Sequence, residues 1–246
     1  MIFIRRLSPP PELTHSLVHS LTASYIADTT KTVWDQRFLR DALLVMTHKK
    51  CAYCEASLNE QSMYMEIDHF HPKSLYKHLV IDWVNLLPSC KHCNATKGDY
   101  DSANLPIVDP TKVDPRDHLK FALYRFHGVT ERGEATVEVL GLNDQQANVY
   151  PRFRAGEMLN EAVDRLLELG SDYKAKLTVR SRNKMMNQVQ SILREAGPLA
   201  EYSAVLATIL RGSKVFSDMV SFLTSEGLWN NELESLLDSV YRIAYA

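Results

Sequence analysis

All four cysteines of this chain fall in two Cys-x-x-Cys pairs, Cys51-Ala-Tyr-Cys54 and Cys90-Lys-His-Cys93, and that arrangement constrains the segment between them. A two-residue spacer lets both thiolates of a pair face one ion, and two pairs complete a tetrahedral shell. The N-terminus, Met1-Ile-Phe-Ile-Arg-Arg, lacks the apolar core and cleavage site of a secretory signal. A reducing compartment is therefore expected, and metal binding rather than disulfide formation. The expected ion is a structural Zn²⁺, because four thiolates leave no position open for chemistry. Its binding energy would replace hydrophobic core that so short a module lacks. His92 lies between two ligands and stays outside the shell they close.

The stretches within and after the second half of this frame read Met65-Glu-Ile-Asp68-His69-Phe-His-Pro72-Lys-Ser and Asp82-Trp-Val-Asn85-Leu, then Cys93-Asn94-Ala-Thr-Lys97-Gly-Asp99. Asp68 and Asn94 offer hard oxygen ligands suited to Mg²⁺ or Mn²⁺. In an extended segment His69 points to the side opposite Asp68, while Glu66 shares the face of Asp68. Taken in order, Cys-x-x-Cys, Glu-x-Asp-His-x-x-Pro, Asn-Leu-x-x-x-Cys-x-x-Cys-Asn and Lys-Gly-Asp resemble the HNH (ββα-metal) nucleases.

That resemblance implies hydrolysis of a phosphodiester bond in DNA, or in RNA, by a divalent cation and an activated water. It implies His69 as the general base, Asp68 and Asn94 as holders of the catalytic Mg²⁺ or Mn²⁺, and Asn85 as a brace that holds the loop and orients the histidine. Lys73 and Lys97 are phosphate contacts or solvated lysines. Asp99 is a third ligand or a helix-end carboxylate, His71 a loop or substrate-side residue, and Glu66 a supporting carboxylate. A four-cysteine zinc site without these residues would suggest only a non-catalytic nucleic-acid or protein adaptor.

Cys51-Ala-Tyr-Cys-Glu55, His69-Phe-His-Pro-Lys-Ser74, Trp83-Val-Asn-Leu-Leu87, Cys93 to Asp99 and Val139-Leu-Gly-Leu-Asn143 are similar to the HNH subunit of Septu anti-phage systems, the PtuB type. Retron-associated defence nucleases share the pattern, and the similarity weakens towards residue 155. It implies an ABC/SMC-like ATPase partner of the PtuA type, or a retron reverse transcriptase–ncRNA complex. Charge is consistent with a partner. Lys and Arg number 28 against 30 Asp and Glu, a net −2, whereas a nuclease gripping phosphates alone carries a basic footprint. The most basic stretch is Ser171–Arg194, where Arg180, Arg182 and Lys184 form a candidate nucleic-acid face or a solvated helix face.

The expected class is α+β: a small zinc-stabilised ββα-metal (HNH) module with N-terminal helices and a mostly helical C-terminal region. Residues 1–46 read as a short strand and two helices, Leu13–Ala27 and Trp34–Met46; 47–104 as the nuclease module; 105–142 as a Pro/Asp-rich connector and β-hairpin; 143–246 as helices. The hairpin is expected from strands at Leu119–Phe126 and Ala135–Leu140 joined through Gly128–Gly133. Gly170, Gly197-Pro198, Gly212 and Gly227 are expected helix stops, and Leu228–Ile243 an apolar stripe that completes the core or docks a partner, with core packing the first expectation. No uncharged apolar run approaches the roughly 20 residues of a membrane span, so no membrane is expected and the cytoplasm is the default location.

Overall fold

A computed structural model of the chain describes residues 1–58 and 64–246. It divides into two compact units, Met1–Ala147 and Asn148–Ala246. In the first, helix α1 (His15–Ala27) follows the Pro-rich break and starts at Thr14, whose hydroxyl accepts the Leu17 N–H at 3.2 Å. Helix α2 (Arg37–Met46) buries Leu39, Leu43 and Met46, a spacing that puts all three on one face. Trp34, expected inside this helix, sits in the loop before it.

Strand β1 (Met65–His69) pairs antiparallel with β2 (Leu86–Cys90), with Asp68 opposite Leu87 and His69 opposite Leu86. Helix α3 (Lys91–Lys97) springs directly from β2, and the Cys90 sulfur caps it by accepting the Cys93 N–H at 3.5 Å. Strand, strand and helix thus meet at Cys90, the first cysteine of the second Cys-x-x-Cys pair. Every residue of β2 is buried, with Leu86 and Leu87 fully enclosed. The N-terminal segment straps this unit: the Arg6 guanidinium donates to the carbonyls of Leu86 (2.7 Å) and Trp83 (3.0 Å) and lies over the Trp83 ring.

The hairpin lies one element earlier than expected. Strands β3 (Leu119–Ala122) and β4 (Arg125–Gly128) reverse through Leu123 and Tyr124, with φ of 48° and 62°. A two-residue turn of this kind ordinarily calls for Asn or Gly, so nothing in the sequence marks it. Ala135–Leu140, expected as a strand, falls instead almost wholly in helix α4 (Glu131–Val139), which Thr130 caps through the Gly133 N–H at 3.1 Å. Gly128 and Gly133 are contact points rather than turn residues. A Cβ on Gly133 would lie 1.9 Å from the His118 carbonyl oxygen, and one on Gly128 would lie 2.2 Å from the Glu134 nitrogen.

The second unit is helical: α5 (Tyr150–Lys176), α6 (Val179–Glu195), α7 (Ser203–Gly212), α8 (Lys214–Ser225) and α9 (Asn231–Tyr241). Helix α5 runs through Gly170, the expected stop, and ends at Leu177 in the left-handed region. Gly170 serves packing, since a Cβ there would sit 3.0 Å from the Met219 methyl of α8. Leu233, Leu237 and Val240 of the C-terminal stripe join Val163, Leu166, Val189 and Phe216 in one core. No helix among the described residues is long and apolar enough to cross a membrane.

Candidate metal centre and active site

The four sulfurs of Cys51, Cys54, Cys90 and Cys93 all lie within 4.8 Å of one another, and all four residues are buried free thiols. The Cys54 and Cys90 sulfurs are 3.7 Å apart. Ligands about 2.3 Å from a tetrahedral zinc stand about 3.8 Å apart, so the donor set fits that ion in type and spacing. The backbone fixes the first knuckle onto β2: Cys51 N–H donates to the Ala56 carbonyl and Ala52 N–H to the Pro88 carbonyl, each at 2.9 Å. His92 is turned elsewhere, its Nε2 at 3.4 Å from the Gly141 carbonyl.

Beside this centre a cavity of about 190 Å³ is lined by Glu66, Asp68, His69, Lys73, Asn94 and Asp99, together with Thr32, Trp34, Asp35 and Arg40. His69 ends β1 and is buried, and its Nε2 lies 3.0 Å from the Val80 carbonyl oxygen. A carbonyl only accepts, so Nε2 carries the proton and Nδ1 holds the lone pair. Nδ1 makes no hydrogen bond among the described residues. Burial, reinforced by the Lys73 ammonium, lowers the His69 pKa to about 3, so the imidazole is neutral at physiological pH.

Asp68 is also buried, and both of its oxygens are engaged. The Tyr53 hydroxyl donates to Oδ2 at 2.5 Å and the Lys97 ammonium to Oδ1 at 3.0 Å. Burial and the neighbouring Asp68 carboxylate hold the Tyr53 hydroxyl well above its ordinary pKa, so it remains a donor. Asn94 meets β1 one step earlier, where its Nδ2 donates to Glu66 Oε2 at 2.6 Å, and among the described residues its amide oxygen accepts no hydrogen bond. Helix α3 therefore faces β1 in two rungs, Asn94 on Glu66 and Lys97 on Asp68.

Oxygen donors from Asp68, Asn94, Glu66 and the exposed Asp99 border one cavity, which is the donor chemistry of Mg²⁺ or Mn²⁺. Each Asp68 oxygen keeps a second lone pair for a cation. Among the described residues only the cysteines, however, converge to metal-ligand spacing as a set of three or more acidic, histidine or cysteine groups.

Asn85 is buried under the loop that follows β1. Its Oδ1 accepts the His71 N–H at 2.7 Å, and its Nδ2 donates to the carbonyls of His71 (3.0 Å) and Leu79 (3.3 Å). His71 itself is not a lining residue of the cavity; its Nδ1 lies 2.9 Å from the Ser102 hydroxyl. Lys73 lines the cavity with its ammonium 4.8 Å from the centre of the Trp34 ring. Lys97, expected as a phosphate contact or a solvated lysine, is not exposed. Its side chain is fully buried and held by Asp68 and the His69 carbonyl (2.7 Å). Arg180, Arg182 and Lys184 are exposed on α6 of the second unit.

Sequence reasoning missed Tyr53, Trp34 and Arg40. Tyr53 occupies a knuckle spacer, a position read only for its length. Trp34 and Arg40 precede the first knuckle, and nothing in the motif reaches that far.

A family model described as HNH endonuclease matches residues 51–100. Along nearly its whole length the chain is similar to the Septu protein PtuB of Bacillus thuringiensis, with 37% identity over 244 residues, 98% of this chain and 94% of the relative. A Septu protein PtuB of Bacillus mycoides (strain KBAB4) is 27% identical over 141 residues, covering 44% of this chain and 48% of that protein. No solved structure matches the chain.

Proposed function

Because the chain belongs to the Septu PtuB family and carries an HNH nuclease domain, we propose that it is a metal-dependent endonuclease acting in anti-phage defence. The observation that carries this reading is His69: a neutral imidazole with Nε2 tied to a backbone carbonyl and Nδ1 unengaged, lining one cavity with Asp68 and Asn94.

In this reading His69 Nδ1 takes a proton from water as the water oxygen bonds to phosphorus, and the bond from phosphorus to the 3′ oxygen breaks. The Val80 carbonyl stabilises the imidazolium that results, through the Nε2–H. Asp68 and Asn94 would hold the hard divalent cation, Mg²⁺ or Mn²⁺. Bound there, that cation would neutralise charge developing at the phosphate and the departing oxygen. Lys97 and Tyr53 fix the Asp68 carboxylate from its other sides. Cys51, Cys54, Cys90 and Cys93 would hold Zn²⁺, which would keep β2 and α3 in register with the first knuckle. Lys73, at the cavity, is the candidate phosphate contact.

The family membership and the net charge of −2 support a partner that supplies much of the nucleic-acid grip, an ABC-type ATPase of the PtuA kind. The exposed cations Arg180, Arg182 and Lys184 would add to it. The test is cleavage of DNA and RNA by the full chain with its partner in Mg²⁺ or Mn²⁺. His69→Ala should abolish cleavage while zinc content and melting temperature are kept. Undiminished cleavage would remove His69 from the mechanism. No divalent-dependent cleavage by the wild type would favour a zinc-stabilised adaptor.

A further inference from the structure

The HNH match begins at Cys51, yet one wall of the cavity comes from earlier residues, Thr32 and Trp34 in the loop between α1 and α2 among them. The Trp34 ring stands perpendicular to the His69 imidazole, with ring centres 5.0 Å apart and planes at 89°. Its other neighbours hold it in place. Tyr25 of α1 meets it edge-on at 5.8 Å, and the Lys73 ammonium lies over its ring. The loop is rigidified locally, with Gln36 Nε2 donating to the Val33 carbonyl at 3.0 Å. Arg40 then ties this wall to β1: its Nε donates to Asp35 and its Nη1 to the Met65 carbonyl, each at 2.6 Å.

A single hydrogen bond from Nε2 leaves an imidazole free to pivot about that bond, which swings Nδ1 away from any fixed water. A perpendicular aromatic contact removes the pivot, because ring rotation would drive the two π systems into overlap. We propose that Trp34 is a positioning residue for His69, supplied by the N-terminal helical segment, which holds the imidazole so that Nδ1 faces the cavity. This rests on His69 being the general base. Misplacing a catalytic group by about 1 Å costs on the order of 100-fold in rate, and that is the scale expected here.

The test uses the full chain on whichever nucleic acid it cleaves in the preceding experiment. Trp34→Ala should lower kcat by about 10- to 100-fold with little change in KM, while Trp34→Phe, which keeps a ring at the contact, stays within about threefold of wild type. A readout independent of turnover is the ¹⁵N-edited NMR signal of the His69 Nε2–H. It should be sharp in the wild type and in Trp34→Phe, and broadened in Trp34→Ala at unchanged zinc content. A Trp34→Ala protein with full kcat, a loss confined to KM, or an unaltered Nε2–H signal would overturn the assignment. Should Trp34→Ala lose its zinc, Trp34→Leu carries the same measurements, with the same outcomes supporting or overturning it. Full cleavage by His69→Ala would instead overturn the general-base reading, and Trp34 positioning with it.

Discussion

Replacing Lys97 with Met tests whether the ion pair beneath the cavity is a structural element of the nuclease module. In the native arrangement the fully buried ammonium donates to Asp68 Oδ1 at 3.0 Å and to the His69 carbonyl at 2.7 Å. Met fills much of the same volume but removes the charge and both donors. Asp68, only 3% exposed, would keep the Tyr53 hydroxyl as its one side-chain donor. Removing one partner of a buried pair costs about 3–5 kcal/mol, because the remaining charge is left uncompensated. For a unit of this size each kcal/mol lowers the melting temperature by about 2–4 °C, so a fall on the order of 10 °C is expected. The assay is urea and thermal unfolding of Lys97→Met beside wild type, without added divalent cation and at matched zinc content. Lys97→Met combined with Asp68→Asn should recover much of the loss, since the carboxylate that made the vacancy costly is gone. A change below about 1 kcal/mol would refute the reasoning, for that is the behaviour of a solvated surface lysine.

Three further outcomes follow from the geometry. Cys90→Ser should drop zinc below one per chain by metal analysis and unfold the module by circular dichroism; structural zinc contributes about 10–16 kcal/mol in small zinc domains, as much as an entire domain's stability. The His69 pKa lies near 3 when folded against an ordinary 6.5, so the unfolded chain binds the extra proton between those values and stability falls as pH drops through that window. Acid unfolding monitored by fluorescence should therefore be steeper between pH 6.5 and 4 in wild type than in His69→Ala, while acid loss of zinc is common to both. Finally, Leu123→Asn with Tyr124→Gly should raise stability by about 1–2 kcal/mol in urea unfolding, by relieving two positive-φ side chains in the β3–β4 turn.

The sequence by itself determined the family and the fold class. Four cysteines in two knuckles can satisfy one ion in only one way, so their convergence was readable from spacing. The Asp68-His69 and Cys93-Asn94 segments were legible through their resemblance to the HNH family, whose model matches residues 51–100. The C-terminal stripe went into a core because period and apolarity were both present.

The tertiary structure decided what depends on partners distant in sequence. Lys97 is a buried counter-ion rather than a phosphate contact because α3 is seven residues long and leaves β2 at Cys90, which points that side chain inward at Asp68. The strand pattern of Ala135–Leu140 yielded to a helix because Thr130 caps it and two glycines let it lie against β4. Gly170 reads as a stop in one dimension and as a helix crossing in three. The ring of Trp34 against His69 is the clearest case: the motif singles out the histidine, but only packing brings a residue from 35 positions earlier perpendicular to its imidazole.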